Sequence, residues 1–135
     1  MATQAITWLA DLLSRDHSFY DLRRQAPIIT AALYQPELAE HSLAALALLG
    51  TPESQRTLVD FASRSSVPIA SRREAAAAFA QSVARSGILL TDEEILHQYD
   101  RYNASATADA DTQAVLGALL DTLESIRGKT AARQN

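Results

Sequence analysis

Leu46-Ala47-Leu48-Leu49-Gly50-Thr51-Pro52-Glu53 is the stretch, residues 46–53, on which the reading of the chain turns. An apolar run meets a glycine, and threonine, proline and glutamate follow at once. Gly50 is a helix terminator, because glycine alone enters the left-handed region without steric cost. Thr51 is an N-cap, Pro52 sits at the first helical position where its missing N–H is harmless, and Glu53 faces the positive end of the dipole. One helix therefore stops and another starts with no spare chain between them. Upstream, Pro36 opens a helix over 37–49, with Ala39, Leu43, Leu46, Ala47 and Gly50 on one stripe. Downstream, Leu58, Val59, Phe61 and Ala62 continue the pattern.

The same grammar extends in both directions. Residues 63–68 read as a loop. A helix over 69–86 turns Ala75, Ala76, Phe79, Ala80 and Val83 inward and ends at Gly87. After the apolar connector Ile88-Leu89-Leu90, Thr91 and Glu94 form a capping box. The helix that follows runs to about Tyr102, with Ile95, Leu96, Tyr99 and Tyr102 aligned. A loop over 103–108 leads to a last helix over 109–127, carrying Val115, Leu116, Leu119, Leu123 and Ile126 and closed by Gly128. Towards the N-terminus, a helix is expected over 3–14 with Ile6, Leu9, Leu12 and Leu13 on a stripe. A further segment spans 21–34, capped by Asp21, its helical part opened by Pro27. Six or seven helices and no strand make an all-α fold. A single domain is expected over 1–128, with a polar, disordered tail over 129–135.

Composition agrees. Of 135 residues 26 are alanine and 47% are hydrophobic, and alanine and leucine lose little on entering a helix. At this length one core buries about two thirds of the unfolded surface without staples. The absence of cysteine excludes disulfides, thiolate metal sites and cysteine nucleophiles, and it fits a reducing compartment, so a cytoplasmic location is expected. The N-terminus has no basic segment and Asp11 interrupts its apolar run, which argues against a signal peptide. No apolar run is long enough for a membrane span. A net charge of -4 opposes general nucleic-acid binding, which needs surplus Lys and Arg.

The pattern repeats. A shift of 32 residues lays Pro36 on Pro68 and Leu43-Ala44-Ala45 on Ala75-Ala76-Ala77, and a Thr-capped helix follows both Gly50 and Gly87. The unit is an αα-hairpin that cannot cover its own apolar face, so neighbours must stack. Leu48-Leu49-Gly50-Thr51-Pro52-Glu53 with Leu58 resembles the inter-helix turn of HEAT-like repeats, and Arg72-Arg73-Glu74-Ala75-Ala76-Ala77-Ala78-Phe79 resembles the first helix of the next repeat. The resemblance covers residues 36–102 and implies stacked antiparallel αα-hairpins, as a short solenoid or a compact bundle. Gly50-Thr51-Pro52-Glu53 and Tyr99-Asp100-Arg101-Tyr102-Asn103 are similar to C-terminal helical domains of bacterial proteins of unknown function. That likeness implies a segment of a longer chain and brings no activity with it.

The densest candidate for recognition is Tyr99, Arg101, Tyr102 and Asn103. Tyrosine and arginine are frequent interface anchors. The plainer alternative packs both rings on the core, with Asn103 capping the helix end in the left-handed conformation. Arg23-Arg24 and Arg72-Arg73 would receive an acidic peptide or phosphopeptide if both pairs faced one groove; otherwise they serve ion pairs with Asp21, Asp60 or Glu74. Glu94 and His97 form a single Glu-x-x-His, which is short of a metal site because two ligands do not close one. His17 and His41 stand alone. Neither a nucleophile elbow nor a Gly-rich phosphate loop is present.

These readings lead to a non-enzymatic module that binds a protein or peptide, or another part of its own chain, with no catalytic residue, cofactor or metal. Two alternatives remain open. Some HEAT-like proteins are DNA-repair glycosylases or chromophore lyases, though a glycosylase needs a basic concave face that the charge opposes. A spacer or homodimerising element would bury the open apolar end of a short stack.

Overall fold

Alanine-rich helices approach each other closely, and the architecture follows from that. In the computed structural model the backbone is described for residues 26–134 and side chains for residues 28–126. The helix expected over 3–14, the Asp21 cap, His17 and Arg23-Arg24 lie outside the described residues. Six α-helices are seen among the described residues, and no strand: α1 (Ala26–Ala32), α2 (Ala39–Leu49), α3 (Pro52–Ser63), α4 (Ile69–Ser86), α5 (Asp92–Ala104) and α6 (Ala110–Gln134), with a 3-10 turn at Ser105–Thr107 before α6.

The helices pair as α1/α2, α3/α4 and α5/α6, and the pairs stack. Within α3/α4 the chains run antiparallel: Gln55 at the start of α3 meets Ser82 near the end of α4, and Ala62 at the end of α3 meets Arg72 near the start of α4. Between pairs the equivalent helices run parallel. Arg56 meets Glu94 and Asp60 meets Arg101 across α3 and α5, while Arg73 meets Asp111 across α4 and α6. Two rows of parallel helices result, α1, α3, α5 in one and α2, α4, α6 in the other. Helix α4 is the hub, packed on α2, α3 and α6.

One continuous core joins the pairs, running from Ile29 and Leu33 through Leu46, Leu58 and Phe79 to Leu119 and Leu123. Phe79 is fully buried at its centre, worth about 1.5–3 kcal/mol of transfer free energy. Ala75, Ala76 and Ala78 of α4 are buried on several sides of the helix, and their small size lets three neighbours approach it.

Local chemistry places the hinges. Gly50 adopts φ +59°, and a Cβ built there would stand 2.5 Å from Ser86 Oγ, so the turn passes tightly under the end of α4. Thr51 Oγ1 accepts from Ser54 N–H at 3.1 Å, and Ser54 Oγ accepts from Thr51 N–H at 3.1 Å. Gly87 adopts φ +77° while its N–H reaches Val83 O at 2.8 Å. The Thr91/Glu94 capping box forms as expected.

Three boundaries differ from the sequence expectation. Pro36 does not open α2 directly. Gln35 N–H bonds Ala32 O and Leu38 N–H bonds Gln35 O, so turns occupy the interval and the helix starts at Ala39. Asn103 is not a left-handed cap; α5 passes through it to Ala104, and Ser105, at φ −80°, closes the helix. Gly128 does not end α6, whose backbone continues to Gln134.

Candidate functional site

Two residues of the sequence-predicted interface, Tyr99 and Tyr102, are half-buried and packed against the core. Tyr99 donates its hydroxyl to Glu124 at 2.9 Å, tying α5 to α6. Tyr102 packs beside Gly117, where a Cβ would make ordinary van der Waals contact with Tyr102 Cε2 at 3.5 Å. Asn103 is exposed and Asp100 stands beside the row on the outer face.

The neighbours Arg72 and Arg73 go to different places. Arg73 is exposed and pairs with Asp111 at 3.0 Å, a surface bridge worth about 0–1 kcal/mol. Arg72 is only 3% exposed. Its Nε donates to Ala62 O at 2.9 Å and its Nη1 to Thr112 Oγ1 at 2.9 Å. Nη2 is buried and has no hydrogen-bond partner. Arg72 therefore cannot serve as an outward anchor, but it ties α3, α4 and α6 together.

Arg101 is the predicted anchor that does reach a concave surface. Its guanidinium donates to Gln98 Oε1 at 3.2 Å and to Asp60 Oδ1 at 3.1 Å. Gln98 is buried and donates onward to Ser63 Oγ at 3.1 Å, which orients the whole chain of groups. Around them lies a hollow of about 420 Å³, lined by Asp60, Ser63, Arg64, Arg101, Ser105 and Thr112 with Ala104 and Leu116. It forms where the C-terminal ends of α3 and α5 meet the first turn of α6. Asp109 caps that turn, accepting from Thr112 N–H at 2.6 Å. Hydrogen bonds from the Thr112 side chain and backbone hold the Asp109 carboxyl below its usual value; Arg72 adds a smaller Coulombic pull, against a desolvation penalty.

Arg64 lines a second hollow as well, about 260 Å³ in volume, with Tyr34, Phe61, Val67 and Pro68. The Arg64 guanidinium lies 5.4 Å from the centre of the Tyr34 ring, and Tyr34 meets Phe61 edge-on at 5.7 Å. Tyr34 is half exposed. Tyr34, Arg64 and Arg101 thus follow one edge of the molecule, past the ends of α1, α3 and α5. The sequence reading missed Tyr34, Arg64 and Thr112. Only the position of Tyr34 and Arg64 just beyond apolar stripes could have marked them.

Other sequence candidates are spent locally. Glu94 accepts from Thr91 N–H and pairs with Arg56, and His97 is exposed. Among the described residues no group of three or more His, Asp or Glu is placed to hold a metal, and no helix is long and apolar enough to cross a membrane. A further groove of about 400 Å³ between α4 and α6 is lined mainly by alanines. Comparison with protein-family models, curated proteins and solved structures finds no match.

Proposed function

We propose that the chain is a non-enzymatic, HEAT-like interaction module of the cytoplasm that binds a polypeptide along the Tyr34–Arg64–Arg101 edge. The observation that carries this reading is Arg64, which lines both hollows, the polar one beside Arg101 and the one beside Tyr34. Tyrosine and arginine supply large contact area with polar tips, and such residues at the centre of a concave surface are the common anchors of binding. The hydroxyls in the polar hollow support recognition rather than chemistry, because each is already engaged with a neighbour. Ser63 donates to Val59 O at 2.7 Å, Ser105 donates to Tyr102 O at 2.6 Å, and Thr112 accepts from Arg72.

The test is quantitative affinity capture with the whole chain as bait, comparing wild type, Arg64→Glu and a distant control, Arg85→Glu. A polypeptide retained in stoichiometric amount by wild type and control, and reduced at least tenfold by Arg64→Glu with helicity unchanged, is the expected result. Equal retention by Arg64→Glu, or no stoichiometric partner at all, would overturn the reading.

A further inference from the structure

Three arginines hold carboxylates: Arg56 pairs with Glu94, Arg73 with Asp111 and Arg101 with Asp60. Arg64 holds none. It is exposed, its guanidinium lies over the Tyr34 ring at 5.4 Å, and its side chain makes neither an ion pair nor a hydrogen bond among the described residues. A guanidinium carries its N–H groups in its own plane, so placing it over an aromatic ring leaves that fork open.

The fork stands beside an apolar hollow. Leu33, Tyr34, Pro36, Phe61, Val67 and Pro68 form most of its wall, and Arg64 is the one charged residue in the lining. Its volume of about 260 Å³ falls below the roughly 300–1,000 Å³ of small-molecule sites, which suits one side chain better than a free ligand. The outer surroundings are acidic. Glu37 follows Pro36, Glu40 follows Ala39, and Glu74 stands one turn on from Ser71; all three are exposed, lie outside the lining and make no ion pair among the described residues. Asp60 is held by Arg101. No broad positive field therefore gathers anions here. The spot offers a single direct fork, and further acidic residues in a ligand meet repulsion from Glu37, Glu40 and Glu74.

We propose that this hollow receives one large apolar side chain of a partner polypeptide, and that the Arg64 fork takes a single side-chain carboxylate adjacent to it in the partner's sequence. The proposal rests on the interaction-module reading and names the chemistry of the segment bound at the Tyr34 end. A side-chain carboxylate is favoured over a chain end because the edge continues past Arg64 to the polar hollow beside Arg101, where a partner ending at Arg64 would make no contact.

The experiment follows the Val67 methyl and Arg64 Nε–H signals of the full chain by NMR during titration with acetyl-Ala-Leu-Glu-Ala-amide and with the reversed order, acetyl-Ala-Glu-Leu-Ala-amide. Expected are saturable shifts of both signals, with one dissociation constant, for at least one order. Alanine in place of the peptide leucine should weaken binding about tenfold. Glutamine in place of its glutamate should weaken binding about threefold. Arg64→Gln should erase the preference for glutamate over glutamine while leaving the preference for leucine, a coupling that a merely structural role would not produce. Ser71→Leu, at a half-buried wall position on α4, should fill the hollow and abolish the Val67 shift with helicity unchanged. The assignment is overturned by the absence of a saturable shift, by equal binding of the alanine peptide, or by a glutamate preference that survives Arg64→Gln. Equally tight binding of acetyl-Glu-Glu-Glu-amide, or tighter binding of acetyl-Ala-Leu with a free carboxyl end, overturns it as well. If affinity capture still depends on Arg64 while the peptides are silent, only this assignment falls; if both fail, the interaction reading falls with it.

Discussion

Gln55 holds more of the fold together than any charged residue on the surface. It is fully buried in α3, and its amide reaches across to the far end of α4. Nε2 donates to Gly87 O at 2.9 Å and to Ser82 Oγ at 3.2 Å, while Oε1 accepts from Leu89 N–H at 2.9 Å. Both ends of the amide are thereby determined, and the connector after α4 has its backbone groups satisfied from another helix. Replacing Gln55 by Leu would keep most of the volume and strand a carbonyl and an N–H. We expect a loss of about 2–4 kcal/mol in denaturant unfolding, with the slope unchanged. A loss below about 0.5 kcal/mol would mean that water replaces the amide. Gln55, Arg72 and Gln98 share a sequence signal: each sits on an otherwise apolar stripe. Gln55 precedes Leu58, Val59 and Ala62 at helical spacing, and Arg72 precedes Ala75, Ala76 and Phe79 in the same register. Such a position announces a buried polar side chain, but its partner lies in another helix and cannot be read from spacing.

Helix boundaries were legible where one or two residues decide them. Gly50, Thr51, Gly87 and Thr91 act through their own backbone or a neighbour three residues away, and all four behave as the sequence implies. Pro36, Asn103 and Gly128 were misread, since proline, asparagine and glycine permit a boundary without compelling one, and packing of the flanking helix decides. Gly50→Ala tests the strongest of these hinges. The left-handed φ alone costs about 1–2 kcal/mol, and the clash with Ser86 Oγ adds to it. Adding Ser86→Ala should restore only the clash part, so the double variant remains less stable than Ser86→Ala by thermal melting. At the start of α6 the sign of a pH effect is set by Asp109. Its folded pKa lies below the ordinary one, so the cap is fully effective above the ordinary carboxylate value and is lost as pH falls through the folded value. The protection of the Thr112 amide, measured as its exchange relative to the intrinsic rate at each pH, should fall on acidification in wild type. In Asp109→Asn, which caps without titrating, that acid dependence should vanish.

At the scale of the molecule, all-α stacking was readable because alanine content and the spacing of Gly stops are chain-wide signals. The two hollows were not, because Tyr34, Arg64, Arg101 and Thr112 come from the ends of four separate segments and line them only once the pairs are stacked. The continuous core makes a further prediction. Leu46 and Leu119 lie in different pairs, yet both are buried in one cluster. Leu46→Ala and Leu119→Ala should each lower the same unfolding transition by about 2–5 kcal/mol, with helicity and tyrosine fluorescence lost together. Separate transitions would show that the pairs melt independently.

The Arg72 tie has a consequence for anyone recombining this architecture. Its guanidinium needs an oxygen from α3 and another from α6 in one fixed place, so sliding one pair by a turn would maroon a cation in oil. Apolar alanine surfaces tolerate such slippage; a pinned cation does not. A chimaera that imports α4 without both acceptors should therefore misalign, whereas one that transfers all three helices together should keep its register.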